Sequence, residues 1–228
     1  DCLARLKKNA WTVWGVSATM MDTLSKETVL PHHIFLLQTP SDYKGVLDIT
    51  FRPLQHQATF YATQHASILE NNDDIIPFLT DFSSRQPIEN GGKRFPNMCL
   101  MNICRTIHPC RELQQFVQEK FPTIATLCYN AYGIIMSYEG RTVIRKESIS
   151  SVLQWLKENG GVDRFPRILI LSGDLAGRGI SFTDKDYEWH LNILYLAVSS
   201  SCDEPELIQK IRLCGRYNDS IPLELYAT

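Results

Sequence analysis

The segment that begins at Gly173 carries an acid and a base among three glycines, directly after an apolar run ending at Leu171. Glycines let the backbone approach a phosphate or a partner domain closely. Asp174 can orient neighbouring groups, and Arg178 can direct a permanent charge into a cleft. A glycine-rich turn is often only a turn, but an acid and an arginine at this spacing after a buried strand favour such a contact.

A second candidate site lies on the helix that Pro205 is expected to open. Arg212 and Arg216 are four residues apart, so on a continuous helix they share one face, with Gln209 one turn earlier. Paired arginines on a helix usually form a solvated face. The glycine-rich segment that precedes them favours a functional face, and Gly215 would let the helix end approach a ligand closely.

A third segment, Ser17-Ala18-Thr19, follows the aromatic and β-branched run Trp11 to Val16, which predicts a buried strand ending in a loop of small residues. Small hydroxyl residues after a strand also form ordinary turns and helix caps. By itself this segment does not identify a function.

The elements that would position these segments alternate between strand and helix from Met98 onward. Apolar runs predict strands at 98–103, 123–129, 167–171, 191–198 and 223–226, and helices are predicted from Pro109, after a Ser148 cap, and from Pro205. We expect an α/β fold, an open sheet with helices on both faces and ligands at the carboxyl ends of its strands. Residues 61–82 read as helical, and the Pro- and Gly-rich stretch 86–96 reads as a linker.

Composition narrows the classes of protein. The 228 residues, 44% hydrophobic and 21% charged, suit one full domain with an attached fragment. The sequence contains neither a long apolar run nor a signal-peptide pattern, so we expect a soluble, intracellular chain without membrane contact. With 23 basic and 25 acidic residues, nucleic-acid contact would need a local basic patch.

The seven cysteines contain no Cys-x-x-Cys pair and several lie in apolar runs, so a disulfide framework is not expected. Cys104, His108 and Cys110 could be drawn as metal ligands. A zinc site needs four donors with paired spacing, and no second pair is evident. We therefore expect no metal site here.

Taken in order, the three candidate segments resemble motifs III, V and VI of superfamily-2 helicases and translocases. Ser17-Ala18-Thr19 is similar to the Ser-Ala-Thr of motif III, and the run from Asp174 to Arg178-Gly179 is similar to the motif V core. Gln209 with Arg212, Gly215 and Arg216 resembles the motif VI helix, and Met98 to His108 loosely resembles motif IV. Within the superfamily, the resemblance is closest to Z1-type domains of phage, viral and bacterial ATPases.

The resemblance implies a RecA-like, open and mostly parallel sheet plus a fragment of a preceding RecA-like lobe. Residues 1–52 would be the tail of the first lobe, 53–95 a helical or linker connection, and 96–228 the second lobe. It implies the C-terminal part of an ATP-dependent nucleic-acid helicase or translocase, for example in DNA replication. The partner that it implies first is single-stranded DNA, and RNA is the second.

The resemblance also assigns roles to residues. Gly173, Asp174, Arg178 and Gly179 would bind nucleotide, Ser17, Ala18 and Thr19 would couple the two lobes, and Arg212, Arg216 and Gln209 would be catalytic. One of the two arginines would be the arginine finger, with Arg216 ranked slightly ahead. The family's motif VI arginines commonly lie three residues apart, whereas these lie four apart.

Two family elements are absent from the sequence. No Gly-Lys-Ser or Gly-Lys-Thr loop occurs, because Gly91-Gly92-Lys93-Arg94 lacks the hydroxyl, and no Asp-Glu pair follows an apolar strand upstream of Ser17. Phosphoryl transfer needs both elements. ATP and Mg²⁺ would thus be bound mainly by an upstream lobe of the same protein, and the chain by itself is expected to be inactive.

Two other functions are alternatives to a motor. A RecA-like lobe can serve as a non-catalytic platform that binds nucleic acid or protein, and the upstream reading frame would discriminate this from a motor. An unrelated α/β hydrolase is disfavoured because the sequence has neither a nucleophile elbow nor a Ser-His-Asp order.

Overall fold

The computed structural model describes residues 38, 40–55, 67, 69, 73–103, 106–173, 180–197, 204–217 and 221–227, with the side chains of 204–206 and 217 excepted. Its contacts divide the chain into Asp1–Gln38 and Thr39–Thr228. The strand predicted at Trp11 to Val16 and the segment Ser17-Ala18-Thr19 lie outside the described residues. The fold below is that of the second unit.

This unit is built from short strands and helices. The strands are β1 Tyr43–Lys44, β2 Ile49–Pro53, β3 Ile88–Asn90, β4 Lys93–Phe95, β5 Asn97–Asn102, β6 Ala125–Asn130, β7 Gly133–Tyr138, β8 Arg141–Arg145, β9 Arg167–Ser172, β10 Ile193–Leu196, β11 Arg216–Tyr217 and β12 Leu223–Ala227. The helices are α1 Ile75–Ser84, α2 Ile107–Lys120, α3 Ile149–Glu158, α4 Gly161–Arg164 and α5 Glu204–Ile211.

Eight strands form one sheet in the order β2-β12-β10-β5-β9-β6-β7-β8. Neighbouring strands from β2 to β6 are parallel, and β7 and β8 continue the sheet as an antiparallel hairpin. In the centre, Leu100 of β5 is in register with Leu194 of β10 and Ile170 of β9. The sheet is therefore open and mostly parallel.

Helices cover both faces of the sheet, which explains why its central strands are apolar on consecutive residues. On β5, Leu100 belongs to a core cluster with Leu153 of α3, whereas Met101 belongs to a second cluster with Phe78 of α1 and Leu113 of α2. Every residue of β5 is buried. The predicted α/β class, with helices on both faces, is confirmed.

Several local predictions are also confirmed. Ser148 caps α3, its hydroxyl oxygen accepting a hydrogen bond from the Ser151 amide at 3.2 Å. Pro109 lies in the first turn of α2, where a missing amide hydrogen costs little, and Pro205 lies in the first turn of α5. Among the described residues, no helix is long and apolar enough to cross a membrane.

Two boundary predictions need correction. The predicted linker 86–96 contains a β-hairpin, in which β3 pairs with β4 around Gly91 and Gly92, both with positive φ. Strand β2 pairs with β12 in the main sheet, so residues 40–52 belong with the second unit and not with a preceding lobe. Strand pairing over long sequence separation overrode the local turn and linker signals in both places.

The expectation of strict strand–helix alternation after Met98 is wrong between β6 and α3. Here β6, β7 and β8 follow one another as antiparallel neighbours. The turn between β7 and β8 places Glu139 and Gly140 at positive φ, a geometry suited to a two-residue hairpin turn. This hairpin extends the sheet beyond its parallel part.

Candidate functional site

The glycine-rich segment leaves the carboxyl end of β9, a strand between β5 and β6 in the sheet. The Asn102 side-chain amide donates hydrogen bonds to the carbonyl oxygens of Ser172, at 2.9 Å, and Gly173, at 2.7 Å. Asn102 and Ser172 are buried, so the first residue of the segment is held from the end of the neighbouring strand. Asp174, Arg178 and Gly179 lie outside the described residues, and their roles stay predictions.

Ser172 also has a buried hydroxyl. Its Oγ has no hydrogen-bond partner within the part of the chain that the structure describes. Burying a hydroxyl without a hydrogen-bond partner costs free energy, so native proteins rarely contain such a group. It lies at the end of the sheet where α/β proteins bind their ligands.

The far end of the glycine-rich segment returns to the core at Ile180. Phe182 is buried in the same hydrophobic cluster as Ile211, the last residue of α5, and Cys214, which follows that helix. Its ring also meets the ring of Tyr129 edge-on, with centroids 6.4 Å apart. The segment resembling motif V and the segment resembling motif VI therefore share one core.

The two candidate finger arginines do not share a helical face, and that prediction is wrong. Helix α5 ends at Ile211, residues Arg212–Cys214 form a 3-10 turn, and Gly215 turns the chain into extended backbone. Arg216 begins β11, which pairs antiparallel with β1. Because the 3-10 turn is tighter than an α-helix and Gly215 is extended, Arg216 projects in a different direction from Arg212.

Arg216 is buried, with 5% of its surface exposed. Its Nη1 donates hydrogen bonds to the carbonyl oxygens of His190, at 3.0 Å, and Leu191, at 3.4 Å. Guanidinium groups that satisfy backbone carbonyls in this way fix a loop. Arg212, by contrast, is exposed, and Gln209 is half-buried.

Gly215 is needed for a reason that the sequence did not indicate. A Cβ at this position would collide with the phenol of Tyr43, and the ring atom Cζ would lie only 2.9 Å away. Tyr43 is in β1, which pairs with β11. The close approach that Gly215 permits is therefore to Tyr43, and the expected approach to a nucleotide finds no support here.

Two of the predicted site residues, Gly173 and Arg216, lie far apart along the strand direction of the sheet. Gly173 follows the carboxyl end of β9, whereas the carbonyl partners of Arg216 precede the amino end of β10. Both strands are parallel to β5, so Gly173 and Arg216 lie at opposite ends of the sheet. Among the described residues, the two candidate segments meet only as members of the core cluster that contains Phe182.

A cluster of acids that the sequence analysis did not identify follows Phe182. Asp184, Asp186 and Glu188 place carboxylate oxygens within 4.8 Å of one another, a spacing at which oxygens can bind a cation. Lys157 of α3 already lies among them, with its Nζ 2.7 Å from Asp184, 3.0 Å from Asp186 and 2.6 Å from Glu188. An ammonium supplies the positive charge that a metal ion would bring, so this cluster acts as an ion-pair network.

The pKa shifts in this cluster agree with that assignment. Burial alone would lower the pKa of Lys157, but hydrogen bonds to the three carboxylates outweigh it and raise the pKa. Hydrogen bonds from Lys157 and Lys93 lower the pKa of Glu188 to about 2. Lys93, in the Gly91-Gly92-Lys93-Arg94 run, thus ties the β3–β4 hairpin to the acidic cluster.

Of the candidate metal ligands, Cys104 lies outside the described residues, while Cys110 is buried. The comparisons with known proteins give no match among protein-family models, curated proteins or solved structures.

Proposed function

We propose that this chain forms the second RecA-like lobe of an ATP-dependent nucleic-acid helicase or translocase, with Arg212 as its arginine finger. The observation that carries the choice of Arg212 is its exposure at the end of α5, beside the cluster that contains Phe182. Arg216, the candidate ranked first from the sequence, is buried and bonded to backbone carbonyls. An arginine finger must reach a phosphate across a cleft, so it must be accessible.

In this proposal ATP and Mg²⁺ are bound mainly by an upstream RecA-like lobe of the same protein. Arg212 would stabilise the charge that develops on the transferring phosphoryl group. Arg216 would hold the residues before β10 in place, since it donates to His190 and Leu191. The two arginines thus have different tasks.

The glycine-rich segment would connect the nucleotide to the nucleic-acid strand. It begins at Gly173, which Asn102 holds, and it ends at Phe182, which is buried in the same cluster as Ile211 and Cys214. A loop held at both ends can transmit a change in the contact between lobes to a bound strand. Single-stranded DNA is the first partner to test, and RNA the second.

The test measures ATP hydrolysis by the natural full-length protein with single-stranded DNA or RNA. Arg212→Lys should lower kcat by about a hundredfold or more, with nucleotide affinity nearly unchanged, because lysine lacks the forked guanidinium. Arg216→Lys should lower the free energy of unfolding by about 1–3 kcal/mol, through carbonyls left without partners, and leave kcat of the folded protein near the parental value.

Arg111→Lys is the matched control, because Arg111 is exposed on α2, away from this cluster. It should change neither property. Parental turnover in Arg212→Lys would exclude Arg212 as the finger. A hundredfold loss of kcat in well-folded Arg216→Lys would restore Arg216 to that role.

A non-catalytic binding platform remains the second candidate. The observation that favours it is the absence of a Gly-Lys-Ser or Gly-Lys-Thr loop from the sequence. A full-length protein that binds labelled single-stranded nucleic acid, yet hydrolyses no ATP in its presence, would establish the platform and reject the motor.

A further inference from the structure

A cleft of about 320 Å³ opens at the amino end of the sheet, beside the starts of β6 and β9. Its walls are largely apolar, formed by Pro122, Ala125, Tyr138, Phe165 and Pro166. The rings of Tyr138 and Phe165 meet edge-on, with centroids 5.5 Å apart. The volume is at the lower end of the range for small-molecule sites.

Most charged groups around this cleft are already paired. Arg164 contacts Glu139 at 2.9 Å and lies over the ring of Tyr138, with its Cζ 5.1 Å from the ring centroid. Asp163 pairs with Arg94 of β4, at 2.5 Å. These pairs cancel one another, so they supply little net charge to the cleft.

Arg167, the first residue of β9, is the exception. Its Nη1 donates to the Arg85 carbonyl oxygen at 2.8 Å, but its Nε is buried and has no hydrogen-bond partner within the described ranges. Arg167 forms no ion pair with any of the residues that the structure describes. Burial, with no carboxylate to oppose it, lowers the pKa of Arg167.

A half-buried guanidinium without a counter-ion is costly, and an anion that pairs with it would reduce the cost. Guanidinium pairs best with planar or tetrahedral oxyanions, which can accept two hydrogen bonds from its fork. The apolar walls beside Arg167 favour burial of a flat hydrophobic group at the same time.

We propose that this cleft is a binding site for a small organic oxyanion, a carboxylate or phosphate monoester attached to a flat apolar body. Arg167 pairs with the oxyanion, and the walls formed by Tyr138, Phe165 and the two prolines hold the apolar body. The site lies outside the segments assigned to ATP and nucleic acid. It does not depend on the proposed motor function.

The experiment titrates the protein with benzoate, phenyl phosphate and neutral benzamide, and follows arginine Nε–H signals by two-dimensional NMR. Arg167→Gln assigns the Arg167 signal by its disappearance. Benzoate or phenyl phosphate should shift that signal saturably, and benzamide should bind at least about tenfold more weakly, because it lacks the charge. The tighter anion identifies the head group.

Two further variants locate the site. Thr123→Trp places a large ring at the exposed mouth of the cleft without altering Arg167, so it should weaken binding of the anion about tenfold or more. Arg111→Gln, the matched charge-removing control on α2, should bind like the parent. In Arg167→Gln, which lacks the Arg167 signal, binding is followed by the Ala125 amide signal. The affinity for the anion should fall by about tenfold or more, as in Thr123→Trp.

The proposal is overturned if neither anion shifts the Arg167 signal saturably at its highest soluble concentration. It is also overturned if benzamide binds as tightly as the anions, or if a folded Thr123→Trp variant binds them as the parent does.

Discussion

The ammonium of Lys157 and the buried carboxylate of Asp184 are 2.7 Å apart and join α3 to the residues that follow Phe182. The other oxygen of Asp184 accepts hydrogen bonds from the backbone amides of Glu188, at 2.8 Å, and Trp189, at 3.0 Å. Asp184 therefore organises its own loop, and Lys157 neutralises the charge that this requires. The loop leads directly to His190 and Leu191, whose carbonyls hold Arg216.

Replacing Lys157 with Met should destabilise the fold, since the fully buried Asp184 carboxylate would lose its ammonium partner. The expected loss is about 3 kcal/mol in the free energy of unfolding, measured by urea denaturation. Lys185→Met removes an exposed lysine from the same loop and should change stability by about 0.5 kcal/mol or less. Equal stability of both variants would show that the Lys157 pair contributes nothing.

Stability should fall at acid pH partly through Glu188, whose pKa is lowered to about 2 in the folded chain. A depressed pKa gives stability that is present above the unfolded value of about 4.3 and is lost as pH falls toward the folded value. Glu188→Gln should therefore be destabilising at neutral pH and should flatten the decline between about pH 4.3 and about pH 2. Urea midpoints of both proteins across this range test it, and parallel curves would contradict it.

Asn102 should be required for a stable start of the glycine-rich segment. Asn102→Ala removes two hydrogen bonds to the carbonyls of Ser172 and Gly173 and should lower the free energy of unfolding by about 1–3 kcal/mol. Asn159→Ala, at an exposed position after α3, is the control and should have a smaller effect. Hydrogen exchange should also become faster at Gly173 in the first variant, and unchanged exchange there would argue against the anchoring role.

Gly215 and Tyr43 should be energetically coupled. Gly215→Ala adds a methyl group that would collide with the Tyr43 phenol, so it should lower the free energy of unfolding by about 1–3 kcal/mol. Combining it with Tyr43→Ala should remove most of that penalty, so the double-mutant cycle should give a coupling energy of about 1 kcal/mol or more. Additive effects would contradict a steric conflict between a side chain at position 215 and the Tyr43 phenol.

The sequence predicted those parts of the fold that depend on local patterns. Consecutive apolar residues in β9 predicted a buried parallel strand, and Ser148 predicted the start of α3, because strand burial and helix capping leave signals within a few residues. The β3–β4 hairpin was missed because its glycines and prolines also suit a linker.

The candidate site was harder to predict, because it depends on contacts between distant residues. Nothing near Arg216 in sequence shows that its guanidinium binds the carbonyls of His190 and Leu191. The spacing of Asp184, Asp186 and Glu188 could have indicated a cluster of carboxylates, but only the fold brings Lys157 into it. The end of α5 at Ile211 also lacks a strong local signal before Gly215.

The most direct test of the motor proposal is the affinity of the natural full-length protein for Mg·ADP with aluminium fluoride. This complex mimics the transition state of phosphoryl transfer. If Arg212 is the finger, Arg212→Ala should weaken binding of this analogue by about a hundredfold while ADP binds almost as before, because the finger acts on transition-state charge. Equal affinity of the parent and Arg212→Ala for the analogue, with nucleic acid present, would contradict the proposal.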